Sequence, residues 1–307
     1  MVDKSTVCGV MVTYHPTEEV IQNIRNIFSE CGRVVVVDNG SGGEIFDRLA
    51  TLPGLVMLRF EENRGVAAAL NRGAGWAREN GFSWIVAFDQ DSRPEPGFFE
   101  GIFRTHQHCP EAAVIGSCIE EAGTKYHWLR PHPFWPCFFQ RVVCNGEDLP
   151  EVTFVISSGS LIELEMWRHL GGFDEGLFID YVDTDYCLKV LRTGRSVAVA
   201  GSARLRHHIG ARASGRVLGK DLRPMHHVPL RHYYMARNRV TMWRRHALAV
   251  PHWALFDFAF TCLNGFRVMA FEGEKWLKFK AMVFGTWDGL RGQVGACPDK
   301  RLRTLKS

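Results

Sequence analysis

The sequence predicts an α/β protein: a mostly parallel, doubly wound sheet with helices on both faces and a helical extension at the C-terminus. Three observations predict it. Short Val-rich runs alternate with segments of helical apolar spacing through the first hundred residues. Those runs are continuously apolar, as strands covered on both faces are. Each run then ends in a polar turn, and in an open parallel sheet the carboxyl ends of the strands are where ligands bind.

In chain order, Val7–Thr13 reads as the first strand, and Val20, Ile21, Ile24, Ile27 and Phe28 recur at helical spacing after it. Arg33–Asp38 and Leu55–Phe60 read as the next two strands. The Ala-rich segment Gly65–Asn80 reads as a helix despite Gly73 and Gly75, and Trp84–Phe88 as a fourth strand. Strand and helix alternating at this pitch give right-handed βαβ units. Further strand-like runs are Ala113–Cys118, Val152–Gly159 and Ser196–Gly201, with a helix over Tyr181–Arg192. No internal repeat or low-complexity linker interrupts the chain. The expected division is a catalytic domain over residues 1–245 and a helical extension over 246–307, the latter a membrane-surface or oligomer contact.

With 307 residues, 46% of them apolar and 23% charged, the composition is that of an ordinary globular protein. The N-terminus reads as no secretory leader. The late apolar run WALFDFAFTCL, Trp253 to Leu263, is 11 residues long and contains Asp257, so it reads as too short and too interrupted to span a bilayer. Nine cysteines without C-x-x-C spacing fit reduced thiols in a cytosolic protein. The net charge of +4 hides an asymmetry. Residues 1–200 hold 17 basic against 27 acidic side chains, whereas residues 201–250 hold 11 against 1, with six histidines. A basic tract of that strength meets an anion such as phosphate or a lipid headgroup, or forms a solvated face.

The strand-end residues are Thr13-Tyr14-His15, Asp38-Asn39, Asn63-Arg64-Gly65 and Asp89-Gln90-Asp91. In extended chain, Asp89 and Asp91 point to one side. Two carboxylates converging there repel unless a cation sits between them, and a hard divalent ion carrying a phosphate is the natural candidate; a helix-capping acidic turn is the plain alternative. Asp38 is placed to meet a base or ribose edge, or to close an Asx-turn. Asn63, Arg64 and Gly65 open a helix, where free N–H groups and the dipole favour an anion. Neither G-x-x-x-x-G-K-[ST] nor G-x-G-x-x-G follows the first strand, which argues against a P-loop and a dinucleotide cofactor. A second acidic cluster, Asp180, Asp183 and Asp185, sits where a loop enters a helix. There Asp180 and Asp183 are expected to share one helical turn and one cleft, as first-turn acids or as a base for an incoming hydroxyl. His207 and His208 follow the strand-like SARL segment and suit a site beside phosphate.

In order, the motifs V-T-Y-x-P, V-V-V-D-N-x-S, N-x-G-x-A-x-x-x-N-x-G, D-Q-D-S, S-G-S, G-G-F-D-E-x-x-F, D-x-D-x-C and H-x-x-G resemble the family 2 glycosyltransferases of GT-A fold, over roughly residues 5–245. Within them the chain looks most like bacterial rhamnosyltransferases of surface-polysaccharide synthesis, O-antigen included. The resemblance implies an inverting, metal-dependent transfer of L-rhamnose from dTDP-L-rhamnose onto a polysaccharide or lipid-linked glycan. It places Thr13, Tyr14, Asp38, Asn39, Asn63, Arg64, Gly65, Asp89 and Gln90 on the nucleotide. Asp89, Asp91 and His207 fall on the divalent metal (Mg²⁺ or Mn²⁺), and Asp183 on the catalytic base. Where the family carries Glu-Asp at the base, this chain has Val182-Asp183, which leaves Asp180 as a second candidate.

Such acceptors are commonly built on a polyprenyl diphosphate, so the resemblance also implies a cytoplasmic enzyme, peripheral on the inner face of the plasma membrane through its basic, Trp/Phe-rich tail. No nucleic-acid partner is expected; a homo-oligomer contact is. A sugar-nucleotide nucleotidyltransferase is the nearest competing enzyme, but VTYHPTEE is not the Gly-rich basic loop it requires. A non-enzymatic membrane- or nucleic-acid-binding module accounts for the basic tract and leaves the two acidic clusters unexplained.

Overall fold

The computed structural model of the chain describes residues 2–28, 30–31, 33–41, 44–52, 54–121, 124–206, 215–217, 220–222 and 227–306. The chain forms two compact units. Residues 1–130, 141–175 and 182–207 make the first, and residues 131–140, 176–181 and 208–307 the second.

The elements run β1 (Val7–Thr13), α1 (Glu19–Phe28), β2 (Arg33–Asn39), α2 (Glu44–Ala50), β3 (Leu55–Phe60), α3 (Val66–Glu79), β4 (Trp84–Asp89), β5 (Arg93–Pro94), α4 (Phe98–His108), β6 (Ala112–Glu121) and β7 (Thr124–Lys125). They continue with β8 (His127–Pro131), β9 (Phe139–Val143), β10 (Ser160–Glu163), α5 (Leu164–His169), α6 (Val182–Arg192) and β11 (Ser196–Arg206). The last are β12 (Gly215–Val217), β13 (Lys220–Leu222), α7 (Pro229–His246), α8 (Pro251–Phe271), α9 (Lys275–Leu290) and α10 (Asp299–Lys306).

In the first unit one sheet runs β3-β2-β1-β4-β10-β6-β11-β5, with β7 on β6. β1, β2, β3 and β4 are parallel; β10 is antiparallel to both β4 and β6, and β11 is parallel to β6. Six strands therefore point one way, with β10, β5 and β7 reversed. β1 is central and, apart from Val12, wholly buried, which explains its unbroken apolar run. Its register pairs Thr13 with Asp38 and Val12 with Asp89, so these polar residues share one sheet edge. α3 crosses β1 closely enough that a Cβ at Gly73 would lie 2.3 Å from a Val10 methyl, which is why glycine stands inside this helix. Phe88, Phe98 and Phe99 pack edge-on or tilted within the core between the sheet and α4.

In the second unit α9 packs along α7, and Gly285 and Gly289 allow the approach: a Cβ there would meet the Tyr233 and Arg237 carbonyl oxygens at 2.2 and 2.6 Å. A small core gathers Tyr233, Tyr234, Ala281, Cys297 and Leu305. All nine cysteines are free thiols.

Two expectations about the second half of the sequence are corrected. Val152–Gly159 is not a strand. Its amides go to three different partners: Val152 N–H to Val197, Thr153 N–H to Leu129 and Gly159 N–H to Ala87. No ladder forms, and the strand begins only at Ser160. The apolar run from Trp253 is not confined to 11 residues either. It lies within α8, which by length and composition is able to cross a membrane. Asp257 is nonetheless buried inside its own unit, accepting hydrogen bonds from the Tyr181 hydroxyl (2.6 Å) and the Trp243 indole (2.8 Å) and pairing with Arg239 (3.2 Å). Elsewhere α8 exposes Leu255, Phe258, Leu263 and Phe266, and α9 exposes Trp276, Phe279, Val283, Trp287 and Leu290.

Candidate active site

The carboxyl ends of β3, β2, β1 and β4 are laced together by the polar residues that end them. Asn39 donates to Asn63 Oδ1 (3.1 Å) and accepts from the Arg64 amide (2.9 Å), joining the ends of β2 and β3. Thr13 Oγ1 donates to Asp38 Oδ1 (3.2 Å), the Ser41 amide donates to Asp38 Oδ2 (2.9 Å), and the His15 amide donates to Ser41 Oγ (2.7 Å), joining β1 and β2. The Tyr14 amide donates to Gln90 Oε1 (2.8 Å), joining β1 and β4. Nine of the residues expected from the sequence therefore lie along one continuous rim in the first unit: Thr13, Tyr14, Asp38, Asn39, Asn63, Arg64, Gly65, Asp89 and Gln90.

Burial sorts them. Thr13, Asp38 and Asn39 are buried beneath the rim. Tyr14 and Arg64 are exposed, and Asn63, Asp89, Gln90 and Asp91 half-buried. Both oxygens of Asp38 already hold donors, so the residue shapes the turn that follows β2. The amides of Arg64 and Gly65 were expected to be free for an anion. They are instead taken by Asn39 and by Asn63 Oδ1 (2.9 Å), so the opening of α3 offers side chains there rather than those two N–H groups.

Contrary to expectation, Asp89 and Asp91 do not lie on one extended strand. The extended chain stops at Asp89, and Gln90 and Asp91 form a turn closed by the Ser92 amide on the Asp89 carbonyl (3.1 Å). Ser158 supports this turn, accepting from the Asp89 amide (3.2 Å) and bonding the Ser92 hydroxyl. Ser158 belongs to the S-G-S motif, but sequence reasoning had not given it a role; its one signal was a Ser-Ser-Gly-Ser run with no local helix to cap. The donor set suits a hard divalent cation: two carboxylates in one turn leave coordination positions for phosphate oxygens and water, as Mg²⁺ and Mn²⁺ sites commonly do. Among the described residues no third His, Cys, Asp or Glu joins them. His207 lies outside the described residues.

Asp183 is half-buried in the first turn of α6, where its Oδ1 accepts from the Thr184 amide (2.7 Å). Its neighbour Asp185 is fully buried and paired with Lys189 (2.6 Å), a structural role. Asp180 does not share the helix turn. It precedes α6 with φ +62° and belongs to the second unit, where Arg231 grips both of its oxygens at 2.9–3.2 Å.

The loop 176–181 holds Phe178, Asp180 and Tyr181 at positive φ, costly backbone for side chains of this size. α7 secures it. The Arg237 guanidinium, buried against the Tyr234 ring, donates to the Gly176 and Leu177 carbonyls (3.2 and 3.0 Å). The Asn238 amide reaches the carbonyls of Leu177, Ile179 and Asp180 at 2.8–3.0 Å. Burial, the dominant effect, pushes the Tyr181 phenol far above its usual pKa. Within α7, Arg231, Arg237, Arg239 and Arg244 hold partners in their own unit, and of these Arg237 is fully buried.

The strand ends thus form a polar rim, with two carboxylates at one turn, at the edge where open α/β sheets bind ligands. Residues 10–171 match the model of glycosyl transferase family 2, more than half of the chain, and the protein belongs to that family of glycosyltransferases. It is 28% identical over 296 residues to the dTDP-rhamnosyl transferase RfbF of Shigella flexneri, covering 95% of this chain and 97% of that one. It is also 23% identical over 274 residues to the N-acetylglucosaminyl-diphospho-decaprenol L-rhamnosyltransferase of Mycobacterium tuberculosis, covering 77% and 85%. Among solved structures it shares the fold of S. aureus TarS 1–349 in complex with UDP-GlcNAc (TM-score 0.59, 14% identity, 98% of this chain and 84% of that one). It also shares that of GalNAc-T7 with UDP, GalNAc and Mn²⁺ (TM-score 0.55, 15% identity, 70% and 45%).

Proposed function

We propose that the protein transfers L-rhamnose from dTDP-L-rhamnose, with inversion, to a hydroxyl of a lipid-linked or polymeric glycan. The observation that carries this reading is the laced rim of four strand ends with the Asp89–Asp91 turn on it, in a chain similar to RfbF along nearly its whole length.

In this reading the exposed Tyr14 and Arg64, with Asn63 and Gln90, meet the nucleoside, and Thr13, Asp38, Asn39 and Gly65 hold them in place. Asp89 and Asp91 hold Mg²⁺ or Mn²⁺, which when bound offsets the charge that develops on the departing dTDP. Asp183 takes the proton of the acceptor hydroxyl as that oxygen attacks the anomeric carbon. The ion pair that occupies both oxygens of Asp180 favours Asp183 over it as the base. Removing such a base costs about 10²–10⁴-fold in rate. Asp183→Asn is therefore expected to lose that much kcat while keeping its affinity for dTDP; a folded variant turning over at near-wild-type rate refutes the assignment.

Calorimetric titration tests the donor. Binding of dTDP that exceeds UDP and disappears with EDTA is expected, and a preference for UDP discards rhamnose. The enzyme is assigned to the inner face of the plasma membrane, through the exposed apolar residues of α8 and α9 rather than through the basic tract. Flotation of the full chain with anionic vesicles is expected to fail for Trp276→Glu with Phe279→Glu; equal flotation of variant and wild type rejects the membrane role.

A further inference from the structure

A cleft of about 600 Å³ lies in the first unit between the outward side of α3 and the Gly171-Gly172 turn that follows α5. Four arginines line it: Arg64, Arg72, Arg78 and Arg168; Glu175 is the one carboxylate among the lining residues. Four like charges in one concavity repel one another and raise the local potential for anions. Glu165 offsets one of them and draws on Arg78 as well, which leaves the cleft cationic. Arg64 and Arg72 stand 5.2 and 5.8 Å from the centre of the Phe60 ring, a contact that positions a guanidinium without neutralising it. Arg168 is paired with Glu165. Among the described residues no carboxylate pairs with Arg64, Arg72 or Arg78. Glu175 is itself held by the Asn71 amide (3.0 Å).

The cleft wall is rigid. Asn71 accepts from the Trp167 indole (3.0 Å) and the Phe173 amide (2.8 Å) and donates to the Phe173 carbonyl (2.9 Å), fixing α3 to the Gly-Gly turn. A guanidinium presents a planar fork of donors that matches phosphate oxygens two at a time. The volume suits a small ligand. The cleft meets the donor's rim at Arg64, read above as a nucleoside contact, and is otherwise apart from the metal turn. It flanks the end of β3, while Asp89 ends β4, three strands away and so about 14 Å across the sheet. From there it extends along α3 to Arg78, about 20 Å from Arg64 along the helix.

We propose that this cleft binds a phosphate-class anion other than the donor's, with the diphosphate of a lipid-linked acceptor and free pyrophosphate as its two sources. The first source rests on the acceptor reading above; the anion site itself does not.

The test is calorimetry on the full chain, comparing wild type with the double variant Arg72→Gln and Arg78→Gln: farnesyl diphosphate and inorganic pyrophosphate are titrated in EDTA, and dTDP, alone and against each probe, in Mg²⁺. Both side chains are exposed on a helix that glutamine tolerates, so the fold is expected to persist. A charge-assisted hydrogen bond contributes enough that each arginine is worth on the order of tenfold in affinity. The double variant is expected to bind both probes about 100-fold more weakly, while its metal-dependent binding of dTDP stays within about twofold. Farnesyl diphosphate held more tightly than pyrophosphate identifies the lipid-borne source, and equal affinities identify free phosphate. Equal affinity of wild type and variant, no binding of either probe to wild type, or complete displacement of the probes by dTDP overturns the proposal. Because dTDP binding is read on the same samples, failure of the donor assignment and failure of the anion cleft give different results.

Discussion

Replacing Asn238 tests whether α7 holds the loop that leads to the base. Its amide has two N–H groups and faces three carbonyls of that loop, those of Leu177, Ile179 and Asp180. Asn238 is buried, so water does not replace it freely. Each hydrogen bond lost with its acceptor left buried costs about 1–1.5 kcal/mol, so Asn238→Ala is expected to destabilise the protein by about 2–3 kcal/mol and lower the melting midpoint by about 5–10 °C. Asn238→Asp has nearly the same shape but sets a carboxylate, which only accepts, against those carbonyl oxygens, and is expected to be at least as damaging at pH 7. The loop holds three non-glycine residues at positive φ and releases that strain once unclamped. Asp183 lies two residues beyond it, so kcat is expected to fall with little change in the affinity for dTDP. Thermal melts and urea titrations, beside kcat and dTDP titration, measure each part. An Asn238→Asp protein as stable as wild type refutes the reasoning.

Three further outcomes follow from the packing. Gly73→Ala places a Cβ 2.3 Å from Val10 and is expected to destabilise by at least about 2 kcal/mol. Gly75→Ala, in the same helix with its nearest neighbour at 4.0 Å, is expected to stabilise by about 0.5–1 kcal/mol, both read by urea unfolding. His232 is buried, and that burial, against the weaker opposing pull of Glu272, lowers its pKa to about 4. The unfolded chain therefore binds more protons between about pH 6.5 and 4, and stability is lost as the pH falls through that window. Nearby, Lys278 pairs with Glu272 (2.7 Å), while His227, itself lowered mainly by burial, stacks edge-on at 6.1 Å. His232→Phe is expected to remove up to about 3 kcal/mol of the acid-side loss, and an unchanged pH profile contradicts it.

Much of the first unit is legible from local sequence because β1, β2 and β4 are almost wholly buried and read as unbroken apolar runs. Val7–Thr13 and Leu55–Phe60 match β1 and β3 residue for residue, and the others differ at their ends by a few positions. The rim residues were legible because each ends such a strand. What was not legible depends on partners far along the chain. Val152 and Val155 are apolar and buried like strand residues, but their segment's amides pair with three separated elements, which no local pattern encodes. Asp180 looks like half of an acidic pair until Arg231, 51 residues later, is seen holding it. Arg237 of α7 likewise looks like part of a cationic surface in the sequence, and only its carbonyl partners reveal it as an interior strut.

The chain crosses between its two units several times, lending residues 131–140 and 176–181 to the second before that unit's main body begins at residue 208. A family that diversifies by exchanging segments usually does so where one cut separates two independent pieces. No such cut exists here. A recombinant that joins the front of this chain to the C-terminal helices of a relative inherits a loop from one parent and its Arg237 and Asn238 clamp from the other. Such hybrids survive only where both parents keep that match, so the two halves are expected to be inherited together rather than shuffled.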